Sequence, residues 1–148
     1  MPSQITELVR SLLQDDLQAY DERTSSLGEQ GWNAFGEVVG AAFQQSVSRR
    51  FGADDSGVSA LVSQARKPYQ GTPVEVDAEP AEILMRSVLG QDGGVAGVLD
   101  RLDERDLAKI ELVLLRQLVA DAGLVGPSFD AFLAEAESAA SPWSQGKA

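Results

Sequence analysis

The sequence contains no cysteine and no histidine among its 148 residues. The chain therefore has no thiol for a disulfide or a nucleophile and no imidazole for a general base, and it cannot hold zinc or haem through sulfur or ring nitrogen. No apolar run approaches the ~18 residues that span a membrane. Because these absences exclude most common catalytic mechanisms, we predict no catalytic residue, no metal and no cofactor.

Motifs with a known binding chemistry are also missing. The sequence has no phosphate-binding GxxxxGK[ST] loop and no EF-hand loop, and its glycine-rich stretch at residues 90–97 lacks the preceding strand that a dinucleotide site needs. Acidic clusters such as Asp15, Asp16 and Asp21 are typical of solvated helix faces and caps. We do not interpret them as a cation site, because hard cations need several converging oxygen ligands.

The charge is strongly unbalanced, with 23 acidic against 12 basic residues and a formal net charge of -11. A field of this sign repels phosphate backbones and anionic lipid head groups, so we expect neither nucleic acid nor a membrane as a partner. The same field accelerates association with a basic protein. The first residues, MPSQITELVR, lack the basic and apolar segments of a secretion signal, which favours a cytoplasmic protein, and nine arginines against three lysines suggest a bacterial one.

Apolar residues recur at spacings of three and four almost throughout, which indicates amphipathic helices. We predict an all-α fold, a single compact bundle of about six helices over residues 1–140, with a flexible C-terminal tail at 141–148. The helices are expected at about residues 4–22, 31–51, 56–67, 78–89, 104–122 and 127–140. Residues 70–78 are interpreted as a loop packed against the bundle, and residues 91–102 as a flexible connection.

Two of these helices are predicted to form a central apolar pair. Helix 31–51 carries large side chains along one face, including Trp32 and Phe35, and has Gly36 and Gly40 on the flank of that face. The GxxxG spacing predicts that a neighbouring helix packs closely over the two glycines. Helix 104–122 is apolar around nearly its whole circumference, which is typical of a helix surrounded by others.

Three charged residues fall on apolar helix faces: Asp16, Arg50 and Glu111. An unpaired buried charge costs several kcal/mol, so each must be paired, lie at an opening or reach water. In one interpretation Arg50 neutralises one of the two acids, which accept hydrogen bonds from Arg50, Arg86 or a tyrosine. In the other, the three residues line a small-molecule pocket between the first, second and fifth helices.

The sequence leaves the function open between two main classes. The first is an adaptor, inhibitor or immunity-type protein that binds another protein, with a basic protein or a second copy of the chain as the partner. The alternative is a small-molecule-binding protein or enzyme that uses a pocket lined by Asp16, Arg50 and Glu111. A nucleic-acid mimic is disfavoured because the carboxylates are spread over most of the chain and are not gathered in one segment.

Overall fold

The computed structural model describes residues 4–14, 17–25, 27–52, 54, 56–72, 74–90, 97, 100 and 102–145. These residues form α1 (Gln4–Gln14), α2 (Tyr20–Thr24), α3 (Glu29–Phe51), α4 (Val58–Arg66), α5 (Ala78–Val88), α6 (Glu104–Ala122) and α7 (Pro127–Gln145). Single turns of 3₁₀-helix lie at Leu17–Ala19 and Lys67–Tyr69. No strand occurs in this part of the chain, and the prediction of an all-α bundle is confirmed.

The first predicted helix, residues 4–22, is not continuous, and that prediction was wrong. After α1 the chain forms the 3₁₀ turn Leu17–Ala19 before α2 begins. Residues three apart share a face in a 3₁₀-helix, so both Leu17 and Tyr20 are buried, at 1% and 2% exposure. This turn brings the Tyr20 hydroxyl to the backbone carbonyl of Arg105, to which it donates a hydrogen bond of 2.7 Å. This hydrogen bond ties the start of α2 to the start of α6.

The ends of α6 match the prediction because both depend on local chemistry. The Asp103 side chain accepts a hydrogen bond of 2.8 Å from the backbone N–H of Asp106, as an N-cap should. At the other end Gly123 has φ +68°, the left-handed conformation in which glycine closes helices. The last helix, α7, runs on to Gln145 rather than ending near residue 140, and residues 146–148 of the predicted tail lie outside the described residues.

The centre of the molecule is α3, which packs most extensively against α6 and then against α7. The Arg105 guanidinium lies against the Trp32 ring near the first turns of α6 and α3, and Arg50 meets Asp121 near their last turns. The two helices therefore run parallel. Both helices carry fully buried apolar side chains that each contribute about 1.5–3 kcal/mol, among them Phe35, Val39 and Val47 of α3 and Leu112, Leu114 and Leu115 of α6. The predicted central pair is confirmed, with α7 as a third major contact.

The close helix approach predicted over Gly36 and Gly40 was wrong. A Cβ atom built at either glycine would have no neighbouring atom within 4 Å. Trp32 and Leu107 border the space beside Gly36, and these large side chains keep α6 from closing on the α3 backbone. The glycines thus leave room between the helices instead of allowing tight contact.

The segment between the 3₁₀ turn Lys67–Tyr69 and α5 packs against the bundle as a loop, as predicted. Val74 and Val76 are buried, at 0% and 5% exposure, while Glu75 between them faces solvent. The Arg66 side chain donates a hydrogen bond of 2.7 Å from Nε to the carbonyl of Val76, which ties the loop to the end of α4.

Candidate ligand-binding site

The structure places Arg50 and Glu111 in different parts of the molecule. Asp16 lies outside the described residues. Arg50 is exposed at the last turn of α3, where its Nη1 lies 3.5 Å from Oδ2 of Asp121. Glu111 precedes Asp121 by ten residues on α6, or about 15 Å of helix. Arg50 and Glu111 are therefore not brought together.

Of the two acids that Arg50 was expected to neutralise, Glu111 is not its partner, and the direction of the helices explains why. Because α3 and α6 run parallel, the last turn of α3 meets the last turn of α6. Glu111 instead faces the first half of α3, where Gly36 and Glu37 lie. The sequence pattern predicts that Arg50 and Glu111 each lie on a helix face that contacts another helix. It does not predict which turn of the neighbouring helix each residue meets.

Glu111 lines a cavity between α3 and α6 with a volume of about 450 Å³. This volume falls within the roughly 300–1,000 Å³ typical of small-molecule sites. The lining residues come from successive turns of both helices: Trp32, Asn33, Gly36 and Glu37 of α3, and Leu107, Ala108 and Glu111 of α6. Residues three and four apart share a helix face, so these side chains form two facing strips. Of the two predicted site residues that the structure describes, Glu111 is part of this lining and Arg50 is not.

The Glu111 carboxyl is half-buried and makes no hydrogen bond or ion pair with another described residue. Burial raises its pKa from 4.5 to about 8 because the ionised form loses hydration that nothing in the protein replaces. At neutral pH the carboxyl is therefore mostly protonated. It can donate or accept a hydrogen bond, or it can ionise when a positive charge comes near.

Trp32 forms a fixed part of the cavity wall and is only 5% exposed. Its ring packs edge-on against Phe35 at 5.6 Å and against Tyr20 at 6.3 Å between centroids. The Arg105 guanidinium lies 5.3 Å from the Trp32 ring centroid, within cation–π range. The indole Nε1 is buried and has no acceptor in the part of the chain that the structure describes. A buried hydrogen-bond donor without an acceptor lowers the stability of the fold by about 1–3 kcal/mol.

The roles of Trp32 and Glu37 could not be read from the sequence. Trp32 lies on the apolar face of α3, which by itself indicates a core residue, and Glu37 lies on the polar side of the same helix. Gly36 is the feature of the sequence that indicates the cavity. It has no side chain and lies between Trp32 and Glu37, so it opens space beside the helix. In the sequence this glycine was assigned to close packing.

A second cavity, of about 230 Å³, lies between α4 and α6 and also escaped the sequence analysis. Its wall includes Tyr69 and Arg116, and the Arg116 guanidinium donates a hydrogen bond to the Tyr69 hydroxyl. This guanidinium also lies 5.9 Å from the Tyr69 ring centroid, so the two side chains already contact each other. The cavity is smaller than typical small-molecule sites, and the α3–α6 cavity is therefore the stronger candidate.

Among the described residues, no group of three or more acidic side chains converges as a metal site would require. In the same part of the chain, each helix is too short or too polar to span a bilayer. Comparison of the chain with models of protein families, with curated proteins and with solved structures found no match.

Proposed function

We propose that the protein binds a small organic molecule in the α3–α6 cavity and recognises it through Glu111. The observation that carries this proposal is a half-buried carboxyl with no bonded protein partner at the wall of a cavity of about 450 Å³. Placing a carboxyl in such surroundings is unfavourable for folding. A ligand group that bonds to Glu111 recovers part of this free energy on binding.

The character of the walls supports the same proposal. Trp32, Leu107 and Ala108 supply apolar surface, and Asn33, Glu37 and Glu111 supply a few polar groups. A mainly apolar cavity with a few placed polar groups is the usual form of a small-molecule site. Trp32 is held by neighbouring rings, so this wall is formed before a ligand arrives.

We assign binding rather than catalysis to this cavity. A general acid or base needs a positioned substrate proton, and a covalent mechanism needs an activated nucleophile. In the part of the lining that the structure describes, no serine, threonine, tyrosine or lysine accompanies Glu111. The groups in the cavity thus suffice to hold a ligand but do not define a reaction.

Three small aromatic probes that share a phenethyl body and carry head groups of different charge test the proposal: phenethylammonium, phenethyl alcohol and 3-phenylpropionate. Each is titrated into ¹⁵N-labelled protein, and backbone amide shifts are followed by NMR. We expect at least one probe to bind at millimolar concentration or better. Its largest shifts should fall on the α3 and α6 residues that line the cavity.

A matched pair of variants decides whether binding occurs in this cavity. Gly36→Val places two methyl groups in the space beside α3, while Gly40→Val makes the same change one turn along, at a position that is not part of the lining. Both positions have open space for a Cβ, so both variants should fold. We expect Gly36→Val to weaken probe binding at least tenfold and Gly40→Val to leave it within twofold. If no probe binds, or if the two variants bind equally well, the proposal is wrong.

A second candidate function is the binding of another, basic protein, which the net charge of -11 favours. Phe129 and Phe132 of α7 are buried within the chain at 1% and 2% exposure, so they do not offer an apolar face to a partner. A partner would therefore contact the acidic surface. Its association rate should fall steeply as salt is raised. A rate independent of salt would contradict this candidate.

A further inference from the structure

We infer that the ligand of the α3–α6 cavity is a small organic cation, an ammonium group carried on an apolar body. This inference rests on the proposed function and adds the chemical class of the ligand. Among the described residues that line the cavity, the charged side chains are Glu37 from α3 and Glu111 from α6, and none is basic.

Charge complementarity favours a cation over other ligands of the same size. An anion would enter a cavity that holds two carboxyl groups inside a molecule with a net charge of -11. The same field concentrates cations near the opening. An ammonium group donates three hydrogen bonds, and those made to a carboxylate are among the strongest in proteins.

The apolar walls define the rest of the ligand. Leu107 and Ala108 line one side of the cavity, and Trp32 lines the other. The Arg105 guanidinium already lies against the Trp32 ring and is not part of the lining. We therefore assign recognition of the ammonium group to the carboxylates and contact with the hydrocarbon body to the apolar walls.

Binding of a cation has to change the protonation of Glu111. The free carboxyl is mostly protonated at neutral pH, so pairing with an ammonium group releases its proton to solvent and leaves a carboxylate. Glu37 on α3 is the other titratable group in the lining. Burial is the one cause that raises the pKa of Glu111, and no charged group on the helices packed against α6 adds to it. Release of about one proton per bound cation is therefore the signature of this site.

The test compares phenethylammonium with phenethyl alcohol, two probes of nearly equal shape. Calorimetric titrations between about pH 6 and about pH 8.5, where a primary ammonium keeps its charge, give the affinity. Repetition in two buffers of different ionisation enthalpy gives the number of protons released. The full-length protein is used as wild type, as Glu111→Gln and as Glu75→Gln, an exposed loop glutamate that controls for the loss of one negative charge.

For the wild type we expect phenethylammonium to bind at least tenfold more tightly than the alcohol at the upper end of this range. Its affinity should rise by up to about tenfold per pH unit below pH 8. Glu111→Gln should remove both the preference for the cation and the proton release, while Glu75→Gln keeps the behaviour of the wild type.

The other outcomes separate this inference from the proposed function. If the alcohol binds as tightly as the ammonium and no proton is released, the ligand is not a cation, although the cavity still binds small molecules. If the ammonium binds equally well to Glu111→Gln, its charge is recognised elsewhere and the inference is overturned. If neither probe nor 3-phenylpropionate binds, the proposed function and the inference both fail.

Discussion

Replacing Glu111 by glutamine should make the protein more stable at alkaline pH and leave its stability nearly unchanged at acidic pH. In the folded protein the pKa of this carboxyl is about 8, against 4.5 when it is freely hydrated. Between these two values the folded chain binds more protons than the unfolded chain. The free energy of unfolding therefore falls as pH rises through this window and levels off above pH 8.

The size of the effect follows from the two pKa values. A shift from 4.5 to about 8 corresponds to at most about 5 kcal/mol at 1.36 kcal/mol per pH unit. The carboxyl borders an open cavity, and water that enters it stabilises the ionised form. Between pH 5 and pH 8.5 we therefore expect the free energy of unfolding of the wild type to fall by roughly 1–3 kcal/mol more than that of Glu111→Gln.

Urea denaturation followed by tryptophan fluorescence measures this difference, since Trp32 is buried in the fold. Wild type, Glu111→Gln and Glu75→Gln are unfolded at half-unit steps across the range. Glu75→Gln removes the same charge from an exposed loop position. It therefore corrects for the general repulsion that grows as an acidic protein ionises.

A constant difference between wild type and Glu111→Gln across this range would refute the reasoning, because it would mean that Glu111 ionises at the same pH in the folded and unfolded chains. A difference that Glu75→Gln reproduces would also refute it, since the effect would then follow from net charge. Either result would remove the support that a partnerless carboxyl gives to the proposed binding site.

Three further predictions concern the framework around the cavity. Tyr20→Phe removes the hydrogen bond to the Arg105 carbonyl, which still accepts a backbone bond within α6, so unfolding in urea should show a loss of about 0.5–1.5 kcal/mol, and an unchanged stability would contradict the contact. Asp103→Ala should lower the free energy of unfolding, measured by thermal denaturation, by about 1 kcal/mol. Asp103→Asn can still cap α6 and should lower it much less, so equal losses in the two variants would show that the cap is not the cause. Arg50 and Asp121 form a largely exposed ion pair, so a double-mutant cycle with alanine should give a coupling below about 1 kcal/mol, and a larger value would indicate a buried network.

The features that sequence predicted correctly are those fixed by neighbouring residues. Asp103 and Gly123 mark the ends of α6 because a cap and a left-handed glycine act within one turn. The break between α1 and α2 was missed because it accompanies a bond from Tyr20 to Arg105, far away in the chain. Local periodicity carries no information about such a partner.

The candidate site was predicted only in part, for a related reason. The periodicity of α6 showed that Glu111 lies on a covered face, and the structure places it there beside a cavity. The direction in which α3 passes α6 is a property of the whole fold, and it decides that Arg50 meets Asp121 instead. Whether Gly36 lies under a helix or beside an empty space also depends on the size of side chains on the opposite helix.

The parallel arrangement of α3 and α6 has a consequence for how the chain reaches its fold. Trp32 and Arg105, whose side chains contact each other, are separated by about 70 residues of chain, so their contact closes a long loop before it contributes any stability. In a bundle of antiparallel neighbours, a short turn would bring such partners together early. Here α3 emerges from the ribosome long before α6, so Phe35 and Val39 stay unpacked until α6 has been synthesised. We expect slow folding for an all-α chain of this size, with the central pair assembled only after synthesis has passed α6.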